Sequence, residues 1–194
     1  WNLPSWLLPL LVVNTLGPAQ NAYFFVPWGM GALLLIVPSV TSTSLLAAAA
    51  REPETLYRHV RRAVKLIAAT ALPGGAALFL LAKVMLSPFG ADYAEAGVPV
   101  IWWVVPSVLP CTVTQLFIGV AQIQGRMKAI ITASALVAGG TLAGSYVLLP
   151  VMGVTAPAAA WLAAQSVLAL ITLPTVIRSL QRPHQARHSE PATP

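Results

Sequence analysis

Charge is what this chain has least of. Asp, Glu, Lys and Arg make up 8% of its 194 residues, while 57% are hydrophobic. A soluble globular domain carries about 25% charged residues to keep a hydrated shell around its core. A third of that excludes an ordinary soluble domain, and the apolar excess excludes intrinsic disorder. Other absences narrow the chemistry. One cysteine, Cys111, allows no internal disulfide. The three histidines, His59, His184 and His188, have no cysteine or carboxylate cluster beside them, so no metal site is expected. Neither GxxxxGK[ST] nor GxGxxG occurs, which removes the usual phosphate cradles. Gly29-Met30-Gly31 lies within an apolar run and reads as a flex or packing point. Cys111 and its neighbouring hydroxyls lack a histidine that could serve as base. The expectation is a protein without catalytic residues or cofactor and without a nucleic-acid partner. The chain opens on Trp1 with neither Met nor a charged leader, which reads as part of a longer polypeptide.

What is present is organised by where charge stops. No Lys, Arg, Asp or Glu occurs in 1–50, 66–82, 96–125 or 129–177. A bilayer core takes about 20 apolar residues as helix, so the last gap holds two crossings, divided near Leu149-Pro150-Val151-Met152-Gly153. The first gap divides at Asn14-Thr15-Leu16-Gly17-Pro18. Six helices are predicted, near 1–16, 19–50, 64–87, 97–124, 128–149 and 156–178. The predicted class is an all-α, polytopic membrane protein. The second helix is longer than one crossing needs and holds Pro27, Gly29, Gly31 and Pro38, so it is expected to bend.

The basic residues sort by side. Arg51, Arg58, Arg61, Arg62 and Lys65 follow the second helix, Arg126 and Lys128 the fourth, and Arg178, Arg182 and Arg187 the sixth. Of the 11 Lys and Arg, only Lys83 falls on the other side. The positive-inside rule makes those segments, and the C-terminus, cytoplasmic. The opposite loop, Ser87 to Glu95, carries only Asp92 and Glu95. Within the basic segment 51–65, Leu56, Val60 and Val64 share a helical face beside the arginines. It reads first as an amphipathic anchor on the inner leaflet. A second reading makes Arg58, Arg61, Arg62 and Lys65 ligands of a lipid headgroup phosphate. The Pro-rich stretch 179–194 reads as a disordered cytosolic tail, leaving 1–178 as the membrane unit.

Uncharged polar residues are the remaining functional signal. Thr112, Gln115, Gly119, Gln122 and Arg126 recur on one face of the fourth helix. Glutamine facing lipid is costly, so that face meets other helices or a wet cavity, as interhelical glue or as cavity lining. Asn14, Gln20 and Asn21 add polar groups to the first two helices. The run Ser39-Val40-Thr41-Ser42-Thr43-Ser44 reads as hydroxyls bonding back to their own helix. Gly140 and Gly144, with Ala160 and Ala164 at the same spacing, predict a close seam between the last two helices. The six tryptophans, Trp1, Trp6, Trp28, Trp102, Trp103 and Trp161, lie largely near predicted helix ends, where indoles anchor to headgroups.

The order of motifs resembles a known family. Leu16-Gly17-Pro18-Ala19-Gln20-Asn21-Ala22-Tyr23-Phe24 is similar to the "LG…A.Y" opening of a long second helix, followed by Pro38-Ser39 and an Arg-rich cytosolic helix. Pro88-Phe89-Gly90-Ala91-Asp92-Tyr93-Ala94-Glu95-Ala96-Gly97 resembles an "FG.EYAEAG" outer loop. Gln124-Gly125-Arg126 resembles a "QGR" turn, and Leu148-Leu149-Pro150-Val151-Met152-Gly153-Val154 an "LLP..G" turn. One departure is Ala156-Pro157, where a second Gly followed by Ala-Ala is commoner. Together these resemble the C-terminal half of bacterial polysaccharide-export and oligosaccharide flippases of the MATE-like superfamily, as far as Arg178. The resemblance implies one six-helix lobe of a two-lobe transporter in the bacterial inner membrane. Its partners would be the bilayer, an undecaprenyl-pyrophosphate-linked glycan, and an N-terminal lobe of the same polypeptide. The cargo would cross by alternating access, for surface polysaccharide or lipopolysaccharide synthesis. Helices one, two and four would face the cavity, which makes Asn14, Gln20, Asn21, Thr112, Gln115 and Gln122 its candidate lining. A multidrug exporter of the same superfamily, or a membrane-embedded glycan polymerase or ligase, is the alternative.

Overall fold

The charge-free stretches are helical. A computed structural model describes residues 3–51 and 56–181 and, among these, holds seven α-helices and no strand. They are α1 (Leu3–Leu16), α2 (Pro18–Arg51), α3 (Leu56–Leu86), α4 (Ala91–Val104), α5 (Val108–Ile123), α6 (Met127–Met152) and α7 (Ala156–Gln181). Single 3-10 turns, Ser87–Phe89, Val105–Ser107 and Gly153–Thr155, lie between α3 and α4, α4 and α5, and α6 and α7. Four stretches are long and apolar enough to cross a membrane: Pro18–Thr41, Val64–Phe89, Ala91–Ile123 and Met127–Ile177. The last contains both α6 and α7, and a shorter apolar run, Trp6–Leu16, belongs to α1. The chain is thus an all-α, multi-pass membrane protein.

The fourth predicted helix, 97–124, is longer and broken. It begins at Ala91, because Gly90 turns the chain at φ 119° and Asp92 supplies a carboxylate to the positive end of the helix dipole. The expected outer loop therefore shrinks to Ser87–Gly90, and Asp92 and Glu95 are helical. Pro106 then breaks the run, since it lacks an N–H and its ring opposes the carbonyl one turn back. Another difference concerns the basic segment, which continues into the third helix as α3. Residues 52–55 at its start, and the tail beyond Gln181, lie outside the described residues.

The register between helices follows from small-residue contacts. A Cβ at Gly31 would overlap the side chain of Val104, and one at Gly97 would meet Leu86 at 2.9 Å and Pro27 at 3.2 Å. These contacts run α2 parallel to α4–α5, with α3 antiparallel beside both. Tyr23 packs edge-on to Tyr93 with centroids 4.8 Å apart, which puts the start of α2 beside the start of α4. The Gly153–Thr155 turn packs on α1, α2 and α4, at that same end. The opposite end carries the Gln124–Arg126 turn and the exposed Arg61, Arg62 and Lys65.

Between helices in lipid, close packing replaces the hydrophobic effect as the source of stability. The predicted seam is present: a Cβ on Gly144 would lie 3.1 Å from that of Ala160, and one on Gly140 3.5 Å from that of Ala164. The main core joins Leu8 and Val12 of α1, Phe24 and Trp28 of α2, Val104 of α4, Phe117 of α5, Val137 of α6 and Trp161 of α7. Two tryptophans depart from the expected headgroup role. Trp28 and Trp161 are buried, edge-on to each other at 5.7 Å, and Trp28 also stacks on Phe24 at 5.5 Å. Proximity to a helix end in sequence did not decide their depth, because the facing helices cover them. Trp6, Trp102 and Trp103 are exposed, while Trp1 lies outside the described residues.

Candidate functional site

The expected cavity residues divide between the two ends of the bundle. Asn14 lies near the end of α1, and Gln20 and Asn21 lie in the first turn of α2, all beside the Gly17 corner. Asn14 and Gln20 are exposed, and Asn21 is half-buried with its Oδ1 enclosed and without a hydrogen-bond partner. Gln122 is exposed at the far end of α5, beside the Gln124–Arg126 turn. Thr112 and Gln115 occupy α5 between these ends, both half-buried. The Thr112 hydroxyl donates to the Val108 carbonyl at 2.7 Å, so it turns onto its own helix. The structure brings Asn14, Gln20 and Asn21 together and sets Gln122 apart from them.

The basic candidates share one stretch of α3. Arg61, Arg62 and Lys65 are exposed, and the side chain of Arg58 lies outside the described residues. Within the hydroxyl run, Ser42, Thr43 and Ser44 have side chains outside the described residues as well. Among the described residues, no group of three or more His, Cys, Asp or Glu could hold a metal ion.

Sequence reasoning missed a second polar set, inside the bundle. Ser107, Thr114, Thr141, Ser145, Gln165 and Thr172 are buried. Four of them answer their own needs. Ser107 donates to the Val104 carbonyl at 2.6 Å, Thr114 to Pro110 at 3.0 Å, Ser145 to Thr141 at 2.6 Å and Thr172 to Leu168 at 2.8 Å. Such back-bonding keeps a hydroxyl satisfied without a partner helix. Gln165 differs: it is 0% exposed, and neither Oε1 nor Nε2 has a hydrogen-bond partner. The Oγ1 of Thr141 and the Nε1 of Trp161 are enclosed without partners too. An amide left unpaired in an apolar setting costs about 1–3 kcal/mol. The signal was a stripe repeating every four residues, Ala133-Val137-Thr141-Ser145-Leu149 on α6, with Trp161, Gln165 and Thr172 buried on α7. It lay in a charge-free gap and was eclipsed by the glutamines of α5.

A shallow groove lies on the other flank of the α6–α7 seam. It has a volume of about 300 Å³ and is lined by Leu136, Gly140, Gly144, Ala163, Ala164 and Val167 among others, all apolar. Compared with protein families, with curated proteins and with solved structures, the chain matches none.

Proposed function

We propose that the chain is one lobe of a flippase that carries an undecaprenyl-pyrophosphate-linked oligosaccharide from the inner to the outer leaflet. The order of motifs along the sequence supports this reading. The observation that carries it in the fold is the brevity of the corners at the Asp92 end. Among the described residues, Gly17, Ser87–Gly90 and Gly153–Thr155 join the helices at that end with only a few residues each. A glycan polymerase or ligase would be expected to hold its acid, base and acceptor site in longer loops than these, which favours transport over chemistry. A drug exporter would be expected to hold a carboxylate in mid-membrane. The acidic residues among those described, Asp92 and Glu95, both sit in the first two turns of α4.

In this reading the lobe rocks against a second lobe of the same polypeptide around a shared site. Asn14, Gln20 and Asn21 meet the sugar near the outer mouth, Thr112 and Gln115 at mid-depth, and Gln122 near the inner mouth. Uncharged amides suit a cargo rich in hydroxyls, since they donate and accept without the desolvation cost of an ion. The basic stretch of α3 rests on the cytoplasmic leaflet, where Arg61, Arg62 and Lys65 attract phosphate headgroups. The protein would lie in the bacterial inner membrane, C-terminus inside.

The test is Gln115→Leu with Gln122→Leu in the full transporter, in a cell that depends on it for surface polysaccharide. Export should fall about tenfold, the equivalent of one lost hydrogen bond of roughly 1.4 kcal/mol to the cargo, with abundance unchanged. Normal export with a lower melting temperature would make these glutamines interhelical glue and remove the lining role.

A further inference from the structure

The unpaired polar atoms inside the bundle converge. In an antiparallel helix pair, residues that follow a contact pair in each chain emerge on the same flank of the seam. Gly140 touches Ala164, so Thr141 and Gln165 share one flank; Gly144 touches Ala160, so Ser145 and Trp161 share it one turn away. All four are buried. The opposite flank is the apolar groove with Ala163 and Val167. One side of the seam is therefore wholly apolar and the other carries two polar rungs, with Oε1 and Nε2 of Gln165, Oγ1 of Thr141 and Nε1 of Trp161 all unpaired.

The geometry points to an internal water site on this flank, between α6, α7 and the core. The unpaired set is complementary to water and to little else. Nε2 of Gln165 and the indole N–H of Trp161 only donate, Oε1 only accepts, and the Thr141 hydroxyl does both. Donors and acceptors are both left unpaired, so the missing group must accept as well as donate. It must also be small, because Val137 lies one turn before Thr141 and Trp28 packs edge-on to Trp161, both in the buried core. Among the described side chains of α6 and α7 the charged one, Lys128, is exposed and more than three turns from Thr141, which argues for a neutral ligand. Buried water typically makes about three hydrogen bonds to such otherwise unsatisfied groups. The site owes nothing to the choice of cargo, and it holds whether or not the lobe flips a glycan.

Radiolytic oxidation in lipid nanodiscs tests this, because hydroxyl radicals formed from bound water attack the side chains that touch it. Each rate is normalised to that of the unfolded chain. Trp161 should oxidise several-fold faster than Phe24, which is buried beside a single unpaired atom, the Oδ1 of Asn21 one turn back, rather than beside a cluster of them. Gln165→Leu should bring Trp161 down to the Phe24 level and lower the melting temperature. Thr141→Val, which keeps the shape of the side chain, makes the same test if Gln165→Leu does not fold. Trp161 oxidation equal to that of Phe24 in the wild type would overturn the proposal. So would a Gln165→Leu protein that melts higher, the sign of a dry amide relieved.

Discussion

Single positions decide how closely these helices approach. Gly31 and Gly29 stand two residues apart on α2 and differ in what surrounds them. A Cβ at Gly31 would overlap the fully buried Val104, whereas at Gly29 nothing lies within 4 Å. Gly31→Ala is expected to destabilise by about 1–3 kcal/mol, the usual cost of overpacking a core that cannot give. Gly29→Ala should be neutral or gain up to about 1 kcal/mol from a stiffer unfolded chain and better helix propensity. Thermal unfolding of both in detergent checks the contrast. Adding Val104→Ala to Gly31→Ala should recover part of the loss, since the two sites share one contact. If both glycines respond alike, α2 and α4 do not cross where these contacts place them.

Among the elements, α4 and α5 are the pair in which sequence and structure diverge most. Pro99 and Pro106 each leave a carbonyl one turn back without its usual backbone donor, and the run gives way at Val105–Ser107. Backbone amides around Ser107 and Val108 should therefore exchange with solvent faster than those near Val120. Pro106→Ala restores one donor, worth about 1.4 kcal/mol, and should slow that exchange roughly tenfold. Hydrogen exchange read by mass spectrometry would show it, and unchanged rates would mean that the turn is held by packing alone. How much of this was legible depends on range. The crossings could be read from the gaps in charge, because ionised side chains cannot stay in hydrocarbon, and the α6–α7 seam from Gly140 and Gly144. The start of α4 could not, because Asp92, Tyr93 and Glu95 look like a loop until Gly90 and the helix dipole are considered together. Nor could the depth of Trp28, Trp161 and Gln165, which depends on what the opposing helix places over them. Of the candidate site, residue types were legible; their division between opposite ends needed the register.

For the whole molecule the distribution of charge predicts an orientation, with the basic segments on the inner side. Ser87 and Gln124 are both exposed, each in or beside a corner, at opposite ends of the bundle. With the buried Cys111 replaced by alanine, single cysteines at these positions should differ on intact cells. Ser87→Cys should react with an impermeant thiol reagent, and Gln124→Cys only after the membrane is opened. Equal labelling of both would refute the alternation of basic segments as the determinant of topology. The lipid-facing surface agrees with a bilayer setting: Val151 is 83% exposed, Leu80 77% and Leu170 72%, on different helices. In water these would be an aggregation hazard.

The corners carry a mechanical consequence. At Gly17, Gly90, Gly125 and Gly153 the chain reverses through a positive φ, and each corner spans only a few residues. There is no slack in such connections, so neighbouring helices cannot slide lengthwise past each other without tearing the corner. Whatever compliance the bundle possesses must reside within its rods, where prolines have already removed restoring hydrogen bonds: Pro27 and Pro38 in α2, Pro73 in α3, Pro106 between α4 and α5. Under load this body would flex like a bundle of jointed struts clamped at their tips, with stiffness concentrated at the ends and give in the middle.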